Sequence, residues 1–270
     1  MEKGADLFFY SKTVWWVRIR VKKINLSPFF TFFGGPKVRA NLLCGALLVS
    51  VLPYVCVAQG FRIDARSEEL YQKAVPYLQQ AHSKLEAVPF NFPQANAEDK
   101  KRGLELSEEA GGFIGSAIPL LEQASELGHP VAQYRLALLY YLFNYSIEET
   151  RAKVCPLVQK SFAHGFAPSA LIFSNACWDF PGEEDFNSNL KNVESEASVY
   201  EKYYPQPAIQ FECREKVPEG FAMPWGGSLD FQAEIYRLQG DRDRGRRKEF
   251  YEKAIAINGC YKAKRRLGYN

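Results

Sequence analysis

The residues with the clearest chemical potential are the six cysteines, which could form disulfides or bind a metal. Four of them lie in the body of the chain, at successive separations of 22, 36 and 47 residues: Cys155, Cys177, Cys213 and Cys260. These spacings do not resemble those of a zinc-ligand cluster, so no metal site is predicted. An even number of cysteines in an exported body favours disulfides, for which three pairings exist.

Other groups that could take part in catalysis are sparse. The three histidines are His82, His129 and His164, and the latter two stand beside glycines at predicted helix ends. A structural role at those turns is favoured over catalysis or metal binding. The acidic run at 183–185 is interpreted as a solvated loop cluster. No nucleophile elbow, phosphate-binding loop, zinc-protease motif or calcium loop occurs, so neither an enzyme nor a cofactor is predicted.

Charge divides the chain into three parts. Residues 1–39 carry eight Lys or Arg and two acids, residues 40–58 carry no charge, and residues 59–270 carry 26 basic and 29 acidic side chains. The overall charge of +3 therefore arises from the N-terminus, and the body is slightly acidic. A nucleic-acid-binding body would usually present a basic stripe, so no nucleic-acid partner is expected.

The uncharged stretch 40–58 follows basic residues and ends in small ones, as in a secretory signal. Cleavage after Ala58 would leave Gln59 as the mature start. The alternative is an uncleaved anchor in the inner membrane, although the run is slightly short and Pro53 interrupts it. Either reading places the body outside the cytoplasm, periplasmic or secreted, with membrane contact only through an uncleaved segment.

The body contains an internal repeat. AVPYLQQA at 74–81, AIPLLEQA at 117–124 and VCPLVQKS at 154–161 are similar, and 119–141 aligns without gaps on 156–178. Each longer unit has an apolar helix face, then a glycine that ends the helix, then a second helix with side chains every four residues. Those residues in the clearer copy are Leu120, Leu121, Ala124, Gly128, Ala132, Leu136 and Tyr140. The pattern predicts helix hairpins that need stacked neighbours.

The same spacing returns near the C-terminus, where Gly259, Ala263 and Leu267 repeat the interval of four. The basic residues of this last helix suit a polar cap of the array. Ser146 and Glu149 have the spacing of a capping box, which would start a helix there and place Pro156 inside it.

The string A-x3-L-x2-A-x3-GH-x2-AQ-x2-L-x3-Y over 117–140 resembles the Sel-one-like repeat family, a branch of the tetratricopeptide-type helical solenoids. The resemblance implies stacked helix pairs whose curved surface binds other proteins, often in the bacterial envelope, and implies no active site. We therefore expect an all-α solenoid over 59–270, after an N-terminal extension and signal or anchor at 1–58. Repeat-like units are expected near 68–88, 112–141, 147–178 and 231–268.

An aromatic-rich insertion is expected at 179–230; it contains one polar helix near 186–203 and becomes irregular beyond Pro205. Its aromatic side chains are interpreted chiefly as packing against the helices, and Trp225 is the best candidate for an exposed contact. An antiparallel hairpin would bring Cys155 near Cys177, and Cys213 would then bind the insertion to Cys260. A Cys177–Cys213 bridge would contradict that pairing.

The function expected is a non-enzymatic scaffold for protein–protein interactions in the bacterial cell envelope, with an unknown protein partner. It would bury a partner segment against a concave face through Tyr134, Arg135, Leu138 and Tyr141. The alternative is an envelope hydrolase or cell-wall-binding protein that uses the aromatic segment 178–230. A hydrolase would need a deep pocket with facing carboxylates or a His–carboxylate pair.

The N-terminal residues 1–58, which we call the leader, yield the first prediction. The unusual aromatic and basic character of 1–36 suggests translation initiation near Val38, followed by cleavage before Gln59. N-terminal sequencing of the protein recovered from cells should therefore begin at Gln59. Recovery of a peptide that contains Trp15 and Trp16 would show that the extension is translated and would contradict the start near Val38.

Overall fold

A computed structural model describes residues 61–89, 95–143, 146–177, 183–215 and 223–269. The predicted leader and its cysteines lie outside these residues. The described chain is all-α apart from one pair of two-residue strands, so the predicted all-α class is confirmed. None of its helices is long and apolar enough to cross a bilayer.

The helices follow one another with short connections. They are α1 (Ala65–Glu86), α2 (Ala97–Glu126), α3 (Pro130–Phe143), α4 (Ile147–Ala163), α5 (Pro168–Ala176), α6 (Glu183–Tyr200), α7 (Ser228–Arg242), α8 (Arg247–Asn258) and α9 (Tyr261–Leu267). A 3-10 turn, Glu201–Tyr203, follows α6, and the strands β1 (Gln206–Pro207) and β2 (Trp225–Gly226) precede α7. The polar helix expected near 186–203 is thus α6 with the 3-10 turn.

Side-chain caps set the starts of several helices. The Ser146 hydroxyl accepts a hydrogen bond from the Glu149 N–H at 3.0 Å, so α4 begins where the sequence predicted. Asp64 caps α1 in the same way through the Ser67 N–H at 2.9 Å. As a result Pro156 lies inside α4, and the equivalent prolines of α1 and α2, Pro76 and Pro119, are also internal.

Glycines with positive φ end the first helix of three hairpins. Gly128, Gly165 and Gly259 have φ values of 84°, 80° and 73°. This left-handed conformation costs little without a Cβ, and it reverses the chain within a few residues. The expectation that Gly128 ends its helix in this conformation is confirmed, and the two aligned glycines do the same.

Small side chains let the paired helices approach closely. Ala132, Ser169 and Ala263, each four residues after a turn glycine, have no exposed surface. The Ser169 hydroxyl donates to the Ser161 hydroxyl at 2.6 Å, and that hydroxyl donates to the Pro130 carbonyl at 2.8 Å. These bonds hold the hairpin of α4 and α5 against the start of α3.

Two disulfides fix the ends of these packed elements. Cys155 bonds to Cys177 across the α4–α5 hairpin, and Cys213 bonds to Cys260 at the start of α9. The pairing expected from the hairpin geometry is confirmed. Because disulfides form and persist mainly in oxidising surroundings, the two bonds support a location outside the cytoplasm.

The aromatic side chains of the insertion pack inward where the structure describes them. Phe186, Tyr200, Tyr203 and Phe211 are all buried in the main apolar core, which extends from α1 to α7. A smaller core joins α7, α8 and α9 around the Cys213–Cys260 bridge. Packing against the helices is therefore the main role of this segment.

The turn glycines give a matched pair of substitutions. A Cβ at Gly128 would meet no atom within 4 Å, whereas a Cβ at Gly165 would lie 2.8 Å from the Glu196 Cβ on α6. Gly128→Ala should lower the free energy of unfolding by about 1 to 2 kcal/mol, the cost of a left-handed alanine. Gly165→Ala should lower it by about 1 to 3 kcal/mol more, because α6 must shift.

Urea unfolding of both variants measures these losses. Equal losses would show that α6 yields to the new methyl group without cost, contrary to the packing described.

Candidate binding surface

An extended segment of the chain lies across the helices after α6. We call residues 204–227 the strap; the structure describes 204–215 and 223–227 of it. Within it β1 pairs antiparallel with β2, and the Ala208 N–H donates to the Pro224 carbonyl at 2.8 Å. Gly226 is required there, since a Cβ would lie 2.4 Å from the Phe211 ring.

Two residues of α3 contact the strap directly. The buried Tyr134 hydroxyl donates a hydrogen bond to the Pro207 carbonyl, and burial raises the pKa of Tyr134. The Arg135 Nη1 atom lies 3.4 Å from the Gln206 Oε1 atom, and the guanidinium sits 5.2 Å from the centre of the Trp225 ring. Burial lowers the pKa of Arg135.

These contacts correct the predicted binding face. Tyr134, Arg135 and Leu138 were expected to be available to a partner, but all three are buried within the chain itself. The strap covers the first two, and Leu138 belongs to the main core. Sequence spacing could place these residues on one helix, but it could not show that a segment about 70 residues later would cover them.

The remaining predicted contacts are half-buried. Tyr141 lies near the end of α3, packed against the main core. Trp225 was expected to be exposed, but its ring packs against Arg135 and lies 4.8 Å from the His82 ring of α1. The Trp225 Nε1 atom is buried and has no hydrogen-bond partner among the described residues.

A polar cluster that the sequence did not predict lies beside the strap. The Glu68 carboxylate of α1 accepts hydrogen bonds from the Tyr203 hydroxyl and from Gln72 at 2.8 Å, and Lys202 lies 3.3 Å away. Burial raises the pKa of Glu68, but the Tyr203 and Gln72 hydrogen bonds and the Lys202 charge outweigh this and lower it overall. The carboxylate therefore stays ionised.

His129 joins this cluster to the start of α3. Its Nδ1 atom accepts the Ala132 N–H at 3.3 Å, so Nε2 carries the proton and faces the Glu68 Oε2 atom at 3.2 Å. The imidazole also stacks on Tyr71, with ring centres 4.7 Å apart. His129 thus caps α3, which is the structural role that its position beside Gly128 suggested.

This His–carboxylate pair is not arranged like an acid–base centre. His129 has no exposed surface, and both ring nitrogens already have partners. A general base must be able to reach the proton it removes. Across the described ranges, no group of three or more His, Cys, Asp or Glu side chains could hold a metal ion.

A shallow depression of about 420 Å³ lies beside the Cys213–Cys260 bridge. Its rim carries Arg214, Asp230 and Lys264. Arg214 is already bound to Asp230 at 3.0 Å and to the Trp225 carbonyl at 2.8 Å. These bonds fix the end of the strap to α7.

No protein family model, no curated protein and no solved structure matches this chain. The resemblance to Sel-one-like repeats therefore remains a prediction that rests on its own residues.

The buried imidazole predicts a pH dependence of stability. Burial lowers the pKa of His129 below the usual 6.5, so below that pH the unfolded chain binds a proton that the folded chain does not. The free energy of unfolding should therefore fall as the pH drops from 7.5 to 5.5, with about 1 kcal/mol due to His129. Urea unfolding across this range measures the loss.

His129→Asn is the test variant, because an asparagine can keep the cap of α3 but cannot titrate. It should be less sensitive to pH than the wild type. The control is His164→Asn, since burial also lowers the pKa of the half-buried His164 and this variant should retain the His129 contribution. An unchanged pH dependence in His129→Asn would contradict the assignment.

Proposed function

We propose that this chain is an exported, non-enzymatic helical-repeat scaffold that binds another protein in the bacterial cell envelope, in the periplasm. The two disulfides support an oxidising location, and the three glycine turns with buried small residues support a repeated hairpin. The resemblance to Sel-one-like repeats and the signal-like leader extend this to a bacterial envelope role.

The observation that carries the proposal is that the surface of α1 and α3 already holds an extended polypeptide. Tyr134 contacts a main-chain carbonyl of the strap, which any residue could supply. Tyr71 of α1 and His129 contact the Tyr203 ring at the entrance to the strap, each with ring centres 5.6 Å apart. A main-chain contact with flanking aromatic rings is a common means of binding an extended peptide.

The binding groove is accordingly the surface between α1 and α3, defined by Tyr71, Tyr134 and Arg135. A partner segment would enter at the edge where Trp225 meets His82, because both side chains are partly exposed there. In the isolated chain the strap fills this groove. Partner binding therefore requires part of the strap to leave it.

Site-specific photo-crosslinking in cells tests the proposal. A photoreactive amino acid at His82, on the edge of the groove, should yield a crosslinked protein in the envelope fraction. The matched control is the same amino acid at Leu104, which is 55% exposed and lies on α2, outside the helices that form the groove.

Adducts that form at His82 and not at Leu104 are the expected result. If neither position yields a protein adduct and the purified chain retains cell-wall glycan instead, the proposal is wrong. That outcome would favour the cell-wall-binding alternative.

A further inference from the structure

Arg135 is a buried cation to which the described residues supply no anion. Its side chain is only 8% exposed, and its polar contact is the Gln206 amide oxygen at 3.4 Å. The Trp225 ring covers one face of the guanidinium. Among the described residues, no carboxylate lies within ion-pair distance of it. The ionisable groups nearest to it are the phenols of Tyr71 and Tyr134, which are neutral because burial raises the pKa of each.

A second buried arginine shows what this chain does elsewhere. Arg237 of α7 is 5% exposed, and it pairs with Glu234 and with Asp241, each at 2.7 Å. Burying an arginine is unfavourable unless anions or strong acceptors compensate for the lost water. Arg237 has two carboxylates, whereas Arg135 has one long contact to a neutral amide.

The contact that Arg135 lacks defines what it can bind. We propose that the groove exchanges the strap for an extended partner segment that carries a side-chain carboxylate where the strap has Gln206. Arg135 would then gain a charged acceptor in place of the amide oxygen, and such hydrogen bonds are stronger than neutral ones. This inference rests on the proposed function, and it specifies the partner as an acidic extended peptide.

Exchange requires a partner segment that replaces the buried side chains of the strap, because Ala208 and Phe211 belong to the main core. The strands of the strap have two residues each, and a ribbon of this size adds little stability of its own. The Cys213–Cys260 bridge retains the strap after it leaves the groove, because it attaches residue 213 to the last hairpin. Residues 204–212 could therefore detach from the groove as a loop. One end would stay attached to the 3-10 turn after α6 and the other to the last hairpin through the disulfide.

The groove would offer the incoming peptide the same main-chain contact as it offers the strap. Tyr134 would donate to a backbone carbonyl one residue after the carboxylate, as it now does to Pro207 after Gln206. The groove would thus recognise the peptide through its carboxylate at one position, by Arg135, and through its main-chain carbonyl at the next, by Tyr134. Neutral peptides would lose the first of these two contacts.

The first test places the carboxylate within the chain. Gln206→Glu is made in the wild type and in Arg135→Gln, and the full-length oxidised protein is unfolded in urea. Loss of the Gln206 hydrogen bond to the Tyr203 carbonyl affects both backgrounds and cancels in the double-mutant cycle. Gln206→Glu should raise the folding equilibrium constant at least about tenfold more with Arg135 present than in the Arg135→Gln background.

The second test supplies the segment as a separate molecule. Fluorescein-labelled peptides YYPEPAIQF and YYPQPAIQF correspond to residues 203–211 with Glu or Gln at position 206. They are titrated with the full-length oxidised Trp225→Ala protein, which has lost the ring that packs on Arg135 and keeps only the Gln206 contact. Fluorescence anisotropy should show the Glu peptide binding at least about tenfold more tightly. The preference should vanish with Arg135→Gln and be partly restored with Arg135→Lys.

The matched control is Arg214→Gln, because Arg214 also contacts the strap but already has Asp230 as its partner. It should leave the preference for the Glu peptide unchanged. The inference would be overturned by equal affinity for the two peptides, by no binding of either peptide, or by no coupling in the double-mutant cycle. Crosslinking of a protein at His82 would still support the scaffold in those cases, so the two proposals fail separately.

Discussion

Small side chains let the paired helices approach closely, and the remaining contacts between the helices and the strap depend on this approach. Three of the hairpins reverse at a left-handed glycine, and four residues later Ala132, Ser169 or Ala263 is completely buried. A larger side chain at these points would separate the helices. This spacing fixes the direction of α3, and with it the side of the molecule on which Tyr134 and Arg135 lie.

The disulfides and the strap follow from that arrangement. Because α4 and α5 run back along each other, Cys155 reaches Cys177, and the Cys213–Cys260 bridge holds the strap against the last hairpin. The strap then covers Tyr134 and Arg135 of α3. The same segment therefore completes the core and occupies the surface that we propose as a binding groove.

The ionisable side chains of the interior fall into two groups. Glu68, His129 and Arg237 have polar partners within the described chain, and these contacts join α1 to α3 and stabilise α7. Arg135 instead faces a neutral amide and an aromatic ring. A buried charge that remains incompletely paired raises the energy of the closed strap relative to a state in which an anion is supplied.

The sequence by itself determined the local features: the all-α class, the glycine turns, the Ser146 cap and the Cys155–Cys177 pairing, because each depends on residues close in the chain or on one hairpin. The Cys213–Cys260 pairing followed from the sequence only once the first pair was assigned. It also placed Tyr134 and Arg135 on a single helix. Only the tertiary structure decided that the strap covers them and that Glu68 meets His129, 61 residues away. Helix periodicity defines which side chains share a face, but it carries no information on which distant segment will bury that face.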